Sequence, residues 1–494
     1  MGKYILSLDQ GTSSSRAVVF SEFGEIISFS QKEIKQVYPE KGWVEQDPYE
    51  ILNTQIEVAK EAINKANINI SELKAIGITN QRETTIVWDK TNGKPVYNAI
   101  VWQCRRTKDY CNFLKEQGME EIIHNKTGLL IDPYFSATKI KWILENVCNN
   151  KYNINNLAFG TVDSWLIYNL TGGKVHATDV TNASRTMLLN IETIEWDKEL
   201  LEYFNIPETI LPKIKDSNEL FGITKKETFG AEIPIYAVLG DQQSALFGQC
   251  CFEKGMVKNT YGTGCFALLN TGQKPYISKN GLLSTIAWRI DNKTTYALEG
   301  SVFIAGYVIK WLRDNMKLLQ RASESETIAN DLKDNGGVYF VPAFVGLGAP
   351  YWDSQATGTI IGITSDTTKE HIIRSALESI AFQTFDVIST FINDTNIDIK
   401  EIRVDGGACQ NNFLMQFQSN ILKVPIIRPR IFETTALGVF FMAGLSVGIF
   451  NNFSDIKKIW QKDKEFIPNL DENIRLKYIE KWRNAIVRSR GWTF

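Results

Sequence analysis

One local pattern occurs twice in this sequence: a strand, a tight turn that contains Gly-Thr, and a second strand. The first copy spans residues 6–20 with its turn at 10–12, and the second spans residues 255–269 with its turn at 261–264. The copies lie about 250 residues apart, which is an ordinary length for a domain. Because 494 residues exceed what one hydrophobic core usually supports, the repeat predicts two domains that begin in the same way.

Both domains are predicted to be of the α/β class, with residues 1–250 in the first and 251–494 in the second. Apolar and polar residues alternate between short polar turns, as is typical of strands. Strands are predicted at residues 4–8, 17–20, 25–29, 75–78 and 85–88. The first three form an antiparallel meander, and a helix separates them from the other two. This order indicates mixed sheets flanked by helices rather than a purely parallel Rossmann unit.

Two helices are predicted from local signals. Asp47 is expected to cap the first, with Pro48 at its first position and Glu50 completing a capping box. The second covers the most apolar stretch of the chain, residues 436–450. That stretch is shorter than the roughly 20 residues that a membrane span requires. We therefore expect a buried helix and no membrane segment.

Composition and charge exclude several classes of protein. Lys and Arg number 54 against 56 Asp and Glu, so the formal net charge is −2 and nucleic acid is not an expected partner. The seven scattered cysteines favour reduced thiols in a cytoplasmic protein. With three histidines and no Cys-x-x-Cys pair, a zinc site is not expected. The early aspartate at position 9 argues against a signal peptide.

Residues 9–16, Asp-Gln-Gly-Thr-Ser-Ser-Ser-Arg, form the first candidate phosphate site. A glycine lets backbone N–H groups approach an anion, and hydroxyl groups donate to phosphate oxygens. Asp9, at the end of the strand, is a candidate ligand of Mg²⁺ through water, as this metal prefers. The same residues also suit a polar hairpin with solvated serines, in which Asp9 is a structural turn residue. The Gly-x-x-x-x-Gly-Lys pattern of a P-loop does not occur.

Two further strand ends are rich in glycine. Residues 261–264 form a candidate second phosphate turn, and residues 405–408 precede a helix that is expected to begin at Asn411. Paired glycines let a flat nucleotide base lie against the backbone. Each turn alone also suits an ordinary tight turn. Three such turns without a Walker or Rossmann pattern point to the nucleotide cleft of the actin and hexokinase superfamily.

Several longer runs carry a resemblance to a known family. The sequence is similar to the FGGY family of carbohydrate kinases at residues 80–85, 102–106, 132–142, 240–243, 259–266 and 349–353. The similarity covers essentially the whole chain. It implies two actin-like, RNase H-like ATPase domains with the active site in the cleft between them. It also implies transfer of the γ-phosphate of ATP to a terminal hydroxyl of glycerol, with Mg²⁺ as cofactor.

The resemblance also implies roles for individual residues. Hydrogen bonds to the polyol are expected from Arg82, Glu83, Tyr134, Asp241 and Gln242, and an apolar wall from Trp102 and Phe266. The phosphate turns would contain Thr12, Ser13, Ser14, Arg16 and Thr263, and the nucleoside would lie along Gly306, Lys310, Gly407 and Asn411. Because glycerol is mostly hydroxyl, a selective pocket must pair each hydroxyl with a fixed donor or acceptor. Taken alone, the adjacent Arg82 and Glu83 also suit a surface ion pair.

Asp241 is expected to be the catalytic group and to contact Mg²⁺ together with Asp9. Its carboxylate would take the proton of the hydroxyl that attacks phosphorus. Asp241 also has a structural interpretation, as the cap of a helix at residues 242–247. The two roles are compatible, since a cap position directs a carboxylate into a cleft.

Two positions depart from the family pattern. Lys310 stands where relatives often carry a glutamine near the adenine. Glu232 stands in a loop, residues 225–232, where some bacterial relatives use an arginine to bind fructose 1,6-bisphosphate and others carry a histidine that is phosphorylated. We expect both controls to be absent, because Glu232 would repel a phosphate and the loop contains no histidine. Family members form dimers or tetramers, so a homo-oligomer is expected.

Two other functions remain open at this point. Another kinase of the family, acting on a pentulose or hexulose, would share the fold and the phosphate chemistry, because fold does not fix substrate. Arg82, Glu83, Trp102 and Phe266 favour the smaller substrate. A non-enzymatic actin-like or chaperone-like ATPase would lack the polyol pocket or Asp241, and both are present in the sequence.

Overall fold

The computed structural model describes residues 2–149 and 151–492. The strands of the first half are β1 (Tyr4–Gln10), β2 (Ser14–Ser21), β3 (Ile26–Glu33), β4 (Glu45–Gln46), β5 (Leu73–Asn80), β6 (Ile86–Asp89), β7 (Lys94–Pro95), β8 (Ala99–Ile100), β9 (Leu157–Gly160), β10 (Ala177–Asp179), β11 (Leu189–Asn190), β12 (Glu195–Trp196), β13 (Lys213–Lys215), β14 (Gly222–Ile223) and β15 (Pro234–Gly240). The helices of this half are α1 (Pro48–Ala66), α2 (Lys108–Glu116), α3 (Glu120–Thr127), α4 (Ser136–Ile143), α5 (Val162–Leu170), α6 (Val180–Ala183), α7 (Lys198–Phe204), α8 (Lys226–Phe229) and α9 (Asp241–Gly248).

In the second half the strands are β16 (Met256–Tyr261), β17 (Cys265–Gly272), β18 (Leu283–Ile290), β19 (Lys293–Val302), β20 (Tyr339–Val341), β21 (Thr359–Ile361), β22 (Glu401–Asp405), β23 (Ile426–Pro429) and β24 (Lys462–Phe466). The helices are α10 (Gly306–Asp314), α11 (Glu324–Asp331), α12 (Lys369–Thr395), α13 (Asn412–Leu422), α14 (Thr434–Ser446), α15 (Phe453–Ile459) and α16 (Glu472–Ser489). Short 3-10 turns lie at Ile70–Glu72, Ile154–Asn156, Glu208–Ile210 and Gly407–Gln410, and a π-helical turn at Leu144–Cys148.

The two large sheets repeat one arrangement. The first has the order β14-β15-β5-β1-β2-β3, with β1, β2 and β3 antiparallel and with β5 parallel to both β1 and β15. The second has the order β18-β19-β17-β16-β22-β23-β24, with β16, β17 and β19 antiparallel and with β22 parallel to both β16 and β23. The predicted repeat and the predicted mixed sheets are therefore confirmed.

The five predicted strands correspond to β1, β2, β3, β5 and β6. β6 does not join the large sheet, however, but pairs with β7 and β9 in a separate three-stranded sheet. The alternation of apolar residues predicts a strand from its local pattern, but the partner strand is chosen by contacts over a long sequence distance. β9 lies more than sixty residues after β6.

The start of α1 is partly as predicted. Asp47 caps the helix by accepting from the N–H of Tyr49 at 2.8 Å, and Pro48 is the first helical residue. The predicted capping box is wrong, because Glu50 Oε1 instead accepts from the backbone N–H of Lys35 at 3.2 Å. A segment that is distant in sequence offers Glu50 a donor, so the carboxylate binds there.

The predicted buried helix is α14, and it connects the two halves of the chain. It packs on α9 and on β1, β5 and β15 of the first sheet. The rings of Phe20 and Phe440 stack with their centroids 4.8 Å apart. Gly248 and Gly438 lie where α9 and α14 cross, and a methyl group at Gly438 would overlap the carbonyl oxygen of Ser244. The close approach of the two helices therefore depends on glycine.

All seven cysteines are free and buried. No helix in the described part of the chain is long and apolar enough to cross a membrane.

We predict that Gly438→Ala destabilises the protein. The added methyl group has no space against the backbone of Ser244, so α14 must move away from α9, at a cost of about 1–3 kcal/mol. A lower unfolding temperature in calorimetry checks this result. Thr435→Ala, on the same helix but with a half-buried side chain, is the control. Equal unfolding temperatures for the two variants would contradict the prediction.

Candidate active site

The first phosphate turn joins β1 to β2. The N–H of Gly11 donates to the carbonyl of Ser14 at 2.9 Å and closes the turn. Two glutamine amides hold it in place: Gln81 Nε2 donates to the Gly11 carbonyl at 3.3 Å, and Gln46 Nε2 donates to the Thr12 carbonyl at 2.6 Å. These bonds occupy two carbonyl oxygens, which as acceptors would repel a phosphate.

The second phosphate turn joins β16 to β17. The N–H of Gly262 donates to the carbonyl of Gly264 at 2.9 Å, and the Thr263 carbonyl accepts from the N–H of Ala305 at 2.8 Å. A methyl group on Gly306 would lie 2.6 Å from the Gly262 carbonyl oxygen, so a larger residue does not fit. The start of α10 therefore packs on the turn, and the structure brings Thr263 and Gly306 together.

The third glycine-rich turn follows β22 and lies against the second. Gly406 has a φ of +84°, and a methyl group there would lie 2.5 Å from the carbonyl oxygen of Tyr261. A methyl group on Gly407 would meet no atom within 4 Å, so this position faces open space. Asn411 caps α13, and its Oδ1 accepts from the N–H of Leu414 at 2.9 Å. The expected helix start at Asn411 is confirmed.

The residues expected along a nucleoside lie near one another. A methyl group on Gly306 would be 3.7 Å from Cβ of Ala408, so the start of α10 adjoins the third turn. Lys310 follows one turn later on α10, and its side chain is exposed. A cavity of about 780 Å³ opens beside Thr263, and its lining includes Tyr307 and Trp311 of the same helix.

Arg82 is buried at the centre of the predicted polyol pocket. Its Nη1 and Nη2 donate to the two carboxylate oxygens of Glu299 at 2.5 and 3.1 Å, and Nη1 also donates to Gln243 Oε1 at 3.1 Å. Its Nε lies 3.3 Å from Oδ1 of Asp241. The interpretation of Arg82 and Glu83 as a surface ion pair is wrong, because each side chain is only 2% exposed.

Glu83 belongs to a closed ring of buried charges with Arg82, Glu299 and Arg185. Glu83 Oε1 accepts from Arg185 Nε at 2.6 Å, and Arg185 Nη2 donates to Glu299 Oε1 at 3.0 Å. Burial alone raises the pKa of Glu299, but the charges of Arg185 and Arg82 lower it to about 2. At Glu83 burial prevails over the same two arginines and raises the pKa. The two carboxylates therefore differ in how firmly they stay ionised.

Arg185 and Glu299 were not identified from the sequence, because no glycine turn or family run contains them. One usable signal existed at Glu299, which is the only acidic residue of β19 and directly follows the apolar residues 296–298. An isolated buried charge is unfavourable, so such a residue requires a partner. The partner itself could not be read, since Arg82 is 217 residues away in sequence.

Asp241 is the first residue of α9, and its side chain is 29% exposed. The predicted cap position is wrong by one residue, because Gly240 occupies it. β15 continues directly into α9, and Asp241 Oδ1 accepts from the N–H of Gln242 at 2.7 Å within the first turn. The carboxylate thus lies at the positive end of the helix, beside the guanidinium of Arg82.

Asp9 lies near the end of β1 and close to Asp241. Burial raises the pKa of Asp9 to about 6, with the charge of Arg16 opposing this shift and that of Asp241 adding to it. Two neighbouring carboxylates repel each other, and a divalent cation between them would remove that repulsion. Carboxylate oxygens and water are the ligands that Mg²⁺ prefers. The side chains present therefore fit the expected magnesium ion.

The apolar wall of the polyol pocket is tied to the first phosphate turn. Trp102 and Tyr134 pack edge to face, with ring centroids 5.4 Å apart. The indole Nε1 of Trp102 donates to Thr12 Oγ1 at 2.9 Å. Phe266 is half-buried on β17, directly after the second phosphate turn. Residues from the two expected subsites are therefore in direct contact.

Arg16 is already paired in this structure. Its Nη1 forms an ion pair with Glu433, which precedes α14, and its Nη2 donates to Gln31 Oε1 at 2.9 Å. Ser14 Oγ accepts from Gln31 Nε2 at 3.1 Å, and Ser13 is exposed. All three guanidinium nitrogens of Arg16 therefore already have a partner in this structure.

Solved structures of other proteins share this architecture. Plasmodium falciparum glycerol kinase with ADP superposes with a TM-score of 0.94 at 38% sequence identity, covering 99% of this chain and 98% of that one. Ligand-bound xylulose kinase from Lactobacillus acidophilus superposes with a TM-score of 0.89 at 25% identity, covering 99% of both chains. The fold is the one that these sugar and polyol kinases share, with two mixed-sheet domains around a cleft.

Sequence comparisons identify the family. The model of the N-terminal domain of the FGGY carbohydrate kinases matches residues 4–248, and that of the C-terminal domain matches residues 257–447. The chain therefore belongs to the FGGY family of carbohydrate kinases. It is 58% identical to glycerol kinase 2 of Thermotoga maritima over 99% of both chains. It is 56% identical to glycerol kinase 1 of Clostridium tetani over 100% of this chain and 99% of that one.

We predict that Glu299→Gln destabilises the protein by about 3–5 kcal/mol, because the two buried guanidinium groups lose their shared counter-charge. Chemical unfolding of wild type and variant checks this prediction. Glu253→Gln is the matched control, since it breaks an exposed ion pair with Lys457 and is expected to cost less than about 1 kcal/mol. Similar unfolding midpoints for Glu299→Gln and wild type would show that the ring is not a stabilising unit.

Proposed function

We propose that this protein is a glycerol kinase that transfers the γ-phosphate of Mg·ATP to a terminal hydroxyl of glycerol, giving sn-glycerol 3-phosphate and ADP. One observation carries the proposal: Oδ1 of Asp241 lies 3.3 Å from Nε of Arg82, and the charge of Asp241 adds to the raised pKa of Asp9 near the end of β1. This supports a proton acceptor that adjoins both the expected polyol residues and the first phosphate turn. The high full-length identity to named glycerol kinases supports the same substrate.

The pocket residues suit a small polyol. Arg82 supplies N–H donors, and Glu83 and Asp241 supply carboxylate acceptors, while Trp102 and Tyr134 offer aromatic surface to the carbon atoms. Because Arg82 is bound by Glu299 through both terminal nitrogens, its direction is fixed before the substrate arrives. A fixed, dry set of donors and acceptors rejects ligands that leave one of them unpaired.

The reaction requires one proton transfer by the protein. The Asp241 carboxylate accepts the proton of the terminal hydroxyl as its oxygen attacks the γ-phosphorus. Its hydrogen bond from the Gln242 N–H holds Oδ1 in place, and Oδ2 is free to face the hydroxyl. When bound, Mg²⁺ neutralises charge on the β- and γ-phosphate oxygens. Asp9 and Asp241 are the side chains that would hold it, through water.

The nucleotide is proposed to lie between the two Gly-Thr turns. Thr12, Ser13, Ser14 and Thr263 offer donors to its phosphates, and the nucleoside would follow Gly306, Lys310, Gly407 and Asn411. The open space at Gly407 supports this placement. Arg16 would exchange Glu433 for a phosphate oxygen, since a charge-assisted bond to either acceptor satisfies its guanidinium. In this proposal residues 1–250 carry polyol binding and the first phosphate turn, and residues 251–494 carry nucleotide binding and the second phosphate turn.

Three further properties are proposed from observations outside the site. The seven unpaired, buried cysteines favour a reducing compartment such as the cytoplasm. Homo-oligomers, as dimers or tetramers, follow from the family resemblance. Glu232 is exposed in its loop and would repel a phosphate, so inhibition by fructose 1,6-bisphosphate is not expected.

The acceptor and the base are tested together in a coupled assay of ADP release. We expect wild type to turn over glycerol faster than xylulose or ribulose, and to release little ADP without an acceptor. Asp241→Asn is expected to keep the fold but to lose about 10²–10⁴ in turnover, because the amide cannot accept the proton. Circular dichroism controls for folding. A preference for a pentulose would replace glycerol as the substrate, and turnover of Asp241→Asn near wild type would remove Asp241 from catalysis.

The metal role of Asp9 is tested by titrating Mg²⁺. We expect Asp9→Ala to raise the Mg·ATP concentration needed for half-maximal rate by about tenfold or more, with a much smaller change in the KM for glycerol. Chelation of Mg²⁺ is expected to abolish activity in wild type. Equal losses in both KM values would mean that Asp9 supports the turn rather than the metal.

A further inference from the structure

Lys258 is a buried charge inside β16 to which neither the sequence motifs nor the proposed function gives a role. It lies near the middle of a strand of the second sheet, and its side chain is 0% exposed. A buried ammonium group is unfavourable unless its donors are paired. Here Nζ donates to Gln242 Oε1, to Thr260 Oγ1 at 2.7 Å and to the Phe266 carbonyl at 3.2 Å. All three of its donors are thus satisfied.

Two of these partners belong to the predicted polyol site. Gln242 is the expected hydrogen-bonding neighbour of Asp241, and Phe266 is part of the expected apolar wall. Lys258 comes from the second large sheet, whereas Gln242 lies in the first turn of α9. Thr260, on the same strand, accepts the third hydrogen bond of the ammonium group. The lysine therefore connects the polyol site to β16 and β17.

The contact decides which way the amide of Gln242 points. An ammonium group has three donors and no acceptor, so the amide atom that faces it must be Oε1. Nε2, bonded to the same carbon, is then the amide atom that does not face Lys258. The O and N atoms of a side-chain amide are usually assigned from the hydrogen bonds around them. Next to a lysine, which can only donate, the atom in contact is the oxygen.

The surroundings keep Lys258 able to hold that contact. Burial lowers the pKa of Lys258, and the negative charges of Asp405, Asp241 and Glu299 oppose the change. Arg82 acts in the same direction as burial. Burial is the largest of these effects, so the pKa of Lys258 is below its usual value, and the three carboxylates make the decrease smaller.

We propose that Lys258 is a positioning residue that fixes the amide of Gln242 with its N–H donors toward the polyol. The inference rests on the proposed function in so far as Gln242 contacts the acceptor substrate. As a consequence, the two neighbouring residues bind the polyol in opposite ways: Asp241 accepts a hydrogen bond from it, and Gln242 donates one to it. A hydroxyl group, which both donates and accepts, satisfies the pair fully. A group that only donates, such as an ammonium, meets the Gln242 N–H groups unfavourably.

A double-mutant cycle tests this inference in the full-length protein. Lys258→Met frees the amide, and Gln242→Leu removes it. Each single change is expected to raise the KM for glycerol about tenfold, the effect of one lost hydrogen bond in a closed site. In the Gln242→Leu background, Lys258→Met is expected to add less than about twofold, because its target is gone. The KM for ATP is the internal control, and it is expected to stay within about twofold.

A second variant leaves Lys258 untouched and therefore does not depend on how well the lysine variant folds. Gln242→Glu keeps an oxygen for the ammonium but replaces the N–H donors by another oxygen. It is expected to raise the KM for glycerol at least as much as Gln242→Leu. A KM near wild type for Gln242→Glu, or multiplicative effects in the cycle, would overturn the positioning role.

The outcome separates this inference from the proposed function. If wild type phosphorylates another polyol or ketose in preference to glycerol, the proposed substrate is wrong, and the cycle is measured with that acceptor. Coupling between residues 258 and 242 would then still support the positioning role. If wild type uses glycerol and the cycle is additive, the substrate stands and the role of Lys258 fails.

Discussion

The buried ring of Arg82, Glu299, Arg185 and Glu83 is the interaction on which the site depends. Its four charges alternate in sign and come from two separate segments of the first half, residues 82–83 and residue 185, and from β19 of the second sheet. Removing any one charge would leave another uncompensated in a dry environment, which is why such rings tolerate little change. The ring holds Arg82 with its Nε 3.3 Å from Asp241 Oδ1. It also joins residues of the first half of the chain to Glu299 of the second.

The rest of the cleft is built by close backbone approach. Gly306 and Gly406 pack against the second phosphate turn, and Gly438 lets α14 cross α9. In each place a side chain would occupy the space that another backbone segment fills. Glycine therefore acts here as a packing residue as much as a turn residue. Because α14 lies on the first sheet although it belongs to the second half of the chain, the halves share one apolar layer.

These two constraints place the chemistry. In the proposed site the ring fixes the polyol side, and the glycine turns fix the phosphate side. The hydrogen bond from Trp102 to Thr12 connects the two sides, and the charge of Asp241 on one side acts on Asp9 on the other. A kinase must exclude water from the γ-phosphate while it presents a hydroxyl to it. In this protein the proposed polyol and phosphate sides are in contact before the ligands bind, which is close to the arrangement that phosphoryl transfer requires.

Much of the fold could be predicted from the sequence because its signals are local. Alternating apolar residues located the strands at residues 4–8, 17–20, 25–29 and 75–78, and the Gly-Thr turns disclosed the repeat. Family resemblance named Arg82, Glu83, Asp241 and Gln242, and the structure brings Glu83 and Asp241 within ion-pair distance of Arg82. The cap at Asp241 was misplaced by one residue because α9 begins directly after β15, and the Glu50 capping box was wrong because Lys35 offers Glu50 another donor.

What the sequence alone determined is the order of the elements, the repeated turns and the family. Only the tertiary structure decided that Glu299 and Arg185 hold Arg82 and Glu83, and that Lys258 holds Gln242. The reason is physical. A charge buried in a low-dielectric interior is unfavourable without a partner, so a charged residue in a buried strand implies that a partner exists but not which residue it is. Which residue it is depends on how separate segments fold against one another, and these segments are more than a hundred positions apart for the ring of charges and 16 positions apart for Lys258 and Gln242.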